Sequence, residues 1–118
     1  ARLLNVVELT IIATAAVRDA KDGPAFVAEL EEKHGIRIEV ISGTKEAQLA
    51  GYGVLTNIHA PEGIVGDLGG GSMELVQLKG LAVRAQTTLP IGPLRLLDFE
   101  GDAQEVRHTV QQVLEPLF

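Results

Sequence analysis

The spacing of apolar positions changes character near residue 60. Before it, short apolar runs alternate with stretches of helical period. Leu9-Thr10-Ile11-Ile12-Ala13 is β-branched and almost wholly apolar, which predicts a buried parallel strand. Asp22-Gly23-Pro24 predicts a helix start, with Asp22 as cap and proline in the first turn. Phe26, Val27 and Leu30 form its apolar stripe, Glu29, Glu31 and Glu32 its solvated face, and Gly35 its end. Ile36-Arg37-Ile38-Glu39-Val40-Ile41 alternates and predicts a strand with one wet face or an edge position. A helix over about 44–55 follows, with Ala47, Ala50 and Val54 on one face. Ala60-Pro61-Glu62-Gly63 then reads as a boundary. Beyond it come three consecutive strand-like runs, 64–68, 73–78 and 81–88, the last two joined at Lys79-Gly80. Asp102-Ala103-Gln104-Glu105 has the spacing of a capping box and opens a helix striped by Val106, Val110, Val113, Leu114 and Leu117.

Between the first two runs of the second half lies Asp67-Leu68-Gly69-Gly70-Gly71-Ser72-Met73-Glu74-Leu75. Glycines without Cβ let successive backbone N–H groups approach an oxyanion closely. Asp67 and Glu74 are hard oxygen donors suited to a divalent cation, and Ser72 can donate its hydroxyl. The competing reading is an ordinary hairpin turn, since Gly-Gly marks turns of every kind.

Composition narrows the chemistry. With no Cys, a disulfide, a thiol nucleophile and cysteine-ligated zinc are excluded, and a cytoplasmic setting is expected. The net charge of −6, without any basic block, argues against nucleic acid as partner. No apolar run is long enough to cross a membrane as a helix, so no membrane partner is expected. An acidic chain that binds a polyanion needs divalent cations to offset its charge, or basic groups from elsewhere. His34, His59 and His108 are scattered and form no metal-ligand spacing.

The glycine run, together with Ile12-Ala13-Thr14-Ala15-Ala16-Val17-Arg18-Asp19-Ala20 and Val40-Ile41-Ser42-Gly43-Thr44-Lys45-Glu46-Ala47-Gln48-Leu49, resembles the exopolyphosphatase / guanosine pentaphosphate phosphohydrolase (Ppx/GppA) family. Leu89-Pro90-Ile91-Gly92-Pro93-Leu94-Arg95-Leu96 is similar to the family segment that follows the loop, so the resemblance runs from about Leu9 to Leu97. It implies an α/β chain with a partial actin-like (ribonuclease H-like) fold. Residues 1–60 would form the C-terminal part of a first lobe, and residues 61–118 the N-terminal part of a second lobe carrying the phosphate loop. The family's first phosphate loop would precede Ala1, so the resemblance also implies an internal fragment, inactive alone.

The same resemblance implies metal-assisted hydrolysis of a phosphoanhydride, with inorganic polyphosphate or guanosine pentaphosphate as substrate and Mg2+ or another divalent cation as cofactor. Glu46 would be the catalytic base, and Arg18, Gly69, Gly70, Gly71 and Ser72 would bind phosphate, with Asp67 and Glu74 on the metal. Each role has a plainer rival. Glu46 complements a helix start, a contribution of about 0.3–1 kcal/mol, and Arg18 pairs with Asp19 or Asp22 in solvent. A second function class is a nucleotide-binding module of another actin-like ATPase or sugar kinase; a third is a non-catalytic fragment that folds and associates. Incomplete lobes expose sheet edges, so self-association, such as a homodimer, is expected.

Overall fold

The computed structural model describes residues 6–97 and 102–117. The chain divides into two compact units, Ala1–Ser42 and Gly43–Phe118.

In the first unit, β1 (Ile11–Ala13) and β2 (Ile38–Val40) pair in parallel, Ile11 opposite Ile38 and Ala13 opposite Val40. Parallel strands need a crossover, supplied here by α1 (Ala15–Arg18) and α2 (Gly23–His34). The strand is parallel as expected but not buried, since Ile12 is exposed and its neighbours are half-buried in a sheet of only two strands. Asp22 stands at the N-cap of α2 but its side chain makes no capping bond; its backbone is in the helical region (φ −96°, ψ 0°) rather than the extended one a capping residue normally adopts. What fixes this helix start is contact. Gly23 is buried, and a Cβ there would overlap the Val17 carbonyl. Gly35 ends α2 in the left-handed region at φ 61°, as expected for a C-terminal glycine. Glu31 departs from its expected solvated role: its carboxylate accepts the Ile38 backbone N–H at 2.7 Å and ties α2 to β2.

In the second unit, β3 (Glu62–Leu68), β4 (Met73–Lys79) and β5 (Ala82–Leu89) form an antiparallel meander in that order. The β4–β5 connection is a two-residue turn with Gly80 at φ 61°, so Gly80-Leu81, one position later than expected, occupies it. A bulge interrupts the β4–β5 register between Val76 and Leu78. Glu74, Val76 and Leu78 alternate along β4 onto one face and are all buried. The opposite face carries Ile64 and Leu68, 70% and 62% exposed.

The buried face is covered by α3 (Gly43–Leu55). Its inward stripe is Gly43, Ala47 and Gly51, at four-residue spacing, and Ala47 is wholly enclosed with Val76 and Leu78. Val54, Leu55, Val65 and Val83 surround that cluster. Sequence periodicity placed Ala47 and Val54 on the packed side but passed over the two glycines, because a hydrophobicity pattern gives no weight to a residue whose use is its lack of bulk. The compact units divide before α3, since the helix rests on the sheet that follows it. Beyond the sheet, α4 (Pro93–Leu96) is one turn, and α5 (Ala103–Leu114) starts as the capping box predicts: Asp102 accepts from the Gln104 and Glu105 amides at 2.8 and 3.2 Å. Val106, Val110, Val113 and Leu114 make its half-buried stripe; the side chain of Leu117 and residues 1–5 lie outside what is described.

Two glycines of one helix should respond oppositely to substitution. A Cβ on Gly51 would stand 2.9 Å from Val76 Cγ1 and 3.2 Å from Val83 Cγ2, whereas Gly53 has nothing within 4 Å. Gly51→Val is expected to destabilise by about 1–3 kcal/mol through overpacking, and Gly53→Ala to stabilise by about 0.5–1 kcal/mol. Urea unfolding of the two variants checks both signs.

Candidate functional site

Antiparallel pairing places Asp67 of β3 directly opposite Glu74 of β4, and Glu74 directly opposite Thr88 of β5. Side chains of directly opposed residues share a face, so these three form a row across the sheet, on the face covered by α3. The four residues Gly69 to Ser72 link the ends of the paired β3 and β4 immediately beyond this row.

Only the middle of this row is dry, since Asp67 and Thr88 are both exposed. Asp67 is exposed, whereas Glu74 is 1% exposed and is among the most enclosed side chains of the chain. Burying a carboxylate costs several kcal/mol unless donors or cations compensate it. Glu74 Oε1 accepts the Thr88 hydroxyl at 2.7 Å. Two residues before it, Ser72 is 3% exposed and its Oγ has no hydrogen-bond partner among the described residues. An acid and an unsatisfied hydroxyl buried two residues apart make a polar centre whose demand the protein alone meets only in part.

The helix α3 begins beside this row. A Cβ on Gly43 would collide with Cβ, Cγ2 and Oγ1 of Thr88, so the close approach requires glycine. Glu46 stands in the first turn of that helix and is half-buried. The unit therefore brings the start of α3, the Glu74–Thr88 pair and the glycine loop to one end of its sheet. Arg18 belongs to the other unit. Its Nη1 donates to the Ile41 carbonyl at 3.0 Å and its Nε to Asp19 at 3.2 Å, the pairing that the plainer reading of this residue anticipated.

The loop itself departs from a simple nest. Gly69, Gly70 and Gly71 do not adopt positive φ, so left-handed backbone is not what glycine provides here. The Gly69 N–H is committed to the Ser72 carbonyl at 2.9 Å and is unavailable as a nest donor. Thr88, Gly92, Arg95 and Gly43 all touch the loop or its row and none stood out in the sequence as site residues. The segment Leu89–Leu96 was recognisable, but a Gly-Pro turn and a lone arginine carry no chemical signature until the loop is seen against them.

Two carboxylates, a buried hydroxyl and backbone amides form an all-oxygen and N–H donor set that fits a hard cation together with an oxyanion. Among the described residues no cluster of three or more His, Cys, Asp or Glu side chains is present, so a cation at Asp67 and Glu74 would complete its shell with water or phosphate oxygens, as Mg2+ commonly does. None of the described helices is long and apolar enough to cross a membrane.

A family model described as the Ppx/GppA phosphatase family matches residues 1–114. Among solved structures, the PPX-GPPA enzyme of Aquifex aeolicus is 29% identical over 98% of this chain and 42% of its own, at a TM-score of 0.71. A second Aquifex aeolicus structure of the family is 31% identical over 98% of this chain and 39% of its own, at 0.70. An exopolyphosphatase from Cytophaga hutchinsonii is 26% identical over 98% of this chain and 40% of its own, at 0.87. The chain thus spans about two-fifths of the length of the structures it matches. The expectation of a partial actin-like α/β fold holds.

If the Thr88 hydroxyl holds the buried Glu74 carboxylate, Thr88→Val should destabilise by about 1–3 kcal/mol, the penalty of a buried acceptor losing its donor. Thr88→Ser, which keeps the hydroxyl, should cost much less. Urea midpoints of the two variants at matched slope decide the point, and equal losses would assign the effect to packing against Gly43.

Proposed function

The chain belongs to the Ppx/GppA phosphatase family, and from that premise we propose that it carries the phosphate-binding and water-activating centre of a phosphoanhydride hydrolase. The observation that supports this most is the buried Glu74 carboxylate, hydrogen-bonded to Thr88 and flanked by the unsatisfied Ser72 hydroxyl at the foot of a glycine loop. In this reading the substrate is the terminal phosphate of inorganic polyphosphate or the 5′-phosphate of guanosine pentaphosphate. The setting is the cytoplasm. Residues 1–60 and 61–118 are the adjoining parts of two actin-like lobes.

Hydrolysis of a phosphoanhydride asks mainly for positioning and charge neutralisation. The amides of Gly70, Gly71 and Ser72 with the Ser72 hydroxyl bind phosphate oxygens. Asp67 and Glu74 would hold a divalent cation such as Mg2+, whose charge would offset that of the phosphate. Glu46 accepts a proton from water as that water attacks phosphorus; the P–O bond to the rest of the substrate breaks, and the shortened chain departs with its bridging oxygen.

Glu46→Gln in the full-length protein should lower turnover by roughly 100- to 10,000-fold, the usual worth of one general base, with small effects on substrate binding and on melting temperature. A fall of less than threefold with normal metal binding would leave Glu46 as a helix-start glutamate. The exposed Ile64 and Leu68 on the free β3 edge support a further part of the reading, that the 118-residue chain self-associates. Sedimentation should then show dimers or larger species at high concentration, whereas a clean monomer contradicts it.

A further inference from the structure

Three consecutive carbonyls of the glycine loop are each held. Gly70 O accepts the Leu94 backbone N–H at 2.9 Å, Gly71 O accepts Arg95 Nε at 2.6 Å, and Ser72 O accepts the Gly69 N–H at 2.9 Å. Gly92 lies against the same peptide units so closely that a Cβ would overlap Gly70 O and Gly71 C. In a trans peptide the C=O of one residue and the N–H of the next point in opposite directions. Drawing Gly70 O toward Leu94 therefore turns the Gly71 N–H away from that segment, and drawing Gly71 O toward Arg95 does the same for the Ser72 N–H.

Three glycines in a row do not hold such an arrangement by themselves, because glycine has the widest choice of backbone conformations and the most entropy to lose. None of the three sits in a left-handed conformation that would mark a locally fixed turn. The constraint comes from outside the loop. We propose that the Gly92–Arg95 segment sets the direction of the loop's amides, with Arg95 as a positioning residue that acts on phosphate through Gly71 and Ser72. The inference rests on the glycine loop being the phosphate site. Arg95 is half-buried and its planar guanidinium presents Nε–H in a fixed direction, which a flexible ammonium does not reproduce.

The test uses the full-length protein with inorganic phosphate and Mg2+ as probe. It compares Gly70→Val, Gly92→Ala, Arg95→Met and Arg95→Lys by calorimetric Kd, melting temperature and hydrogen exchange of the 69–72 amides. Arg95→Met should weaken phosphate roughly tenfold or more, the worth of one hydrogen bond from a charged donor, and should speed exchange in the loop at nearly unchanged melting temperature. Gly92→Ala should also weaken phosphate and speed loop exchange although it removes no charge, with a lower melting temperature from its backbone clash, and Arg95→Lys, the variant best able to keep the fold, should recover only part of the affinity. Faster exchange without weaker binding, or weaker binding by Arg95→Met alone with exchange unchanged, overturns the positioning role. If Gly92→Ala and Arg95→Met stay within twofold while Gly70→Val weakens phosphate, the support fails and the loop remains the site. If Gly70→Val also leaves Kd unchanged, the loop is not the site and the proposal falls with it.

Discussion

The enclosed Glu74 carboxylate is the constraint around which the second unit is arranged. A charge-bearing group at 1% exposure is tolerated only where its surroundings answer it. The Thr88 hydroxyl gives one answer from the neighbouring strand. Holding that pair in place requires the β4–β5 register at this end of the sheet, with Glu74 opposite Thr88, and the bulge lies further along, between Val76 and Leu78, where it leaves the pair undisturbed. Glu74 stands one strand-step from the apolar cluster of Val76 and Leu78, so the same face serves as core at one end and as polar centre at the other.

Small residues on α3 make this dual use possible. Gly43, Ala47 and Gly51 let the helix lie close on the sheet, and the closeness at Gly43 brings the first turn, with Glu46, to the Thr88 side of the row. A helix striped with leucines would stand further off, burying more apolar surface and leaving the Glu74 end open to water. The design thus gives up core volume for proximity at the site. That choice is consistent with a chain whose aromatic content is 3% and whose core is built from Ala, Val and Leu.

Most elements were legible in the sequence because each carried a local physical signal. The alternation in 36–41, the β-branched run at 9–13, the Gly35 terminus and the Asp102 cap each follow from period or capping chemistry. The glycine loop and its two acids were legible as a donor set. What was not legible depends on contacts far apart in sequence. Burial of Glu74 rather than Asp67 follows from strand order, with Glu74 on the central strand and Asp67 on an edge strand, and the supporting part of Gly92 and Arg95 from a turn returning to the loop some twenty residues later. The Gly69 amide, expected to face an anion, closes the turn instead. Asp22 fills the right position but leaves its capping bond unmade, its backbone lying in the helical region.

The central claim is that Glu74 and the glycine loop together hold a metal–phosphate pair. Its most direct measurement is anomalous diffraction from crystals of the full-length protein soaked in Mn2+ and phosphate. The account predicts one Mn2+ peak within coordination distance of Glu74 and Asp67, with phosphate oxygens bridging from that ion to the Gly71 and Ser72 amides and the Ser72 hydroxyl. Phosphate bound elsewhere, or a Glu74 carboxylate touching neither ion while the loop amides face solvent, would contradict it.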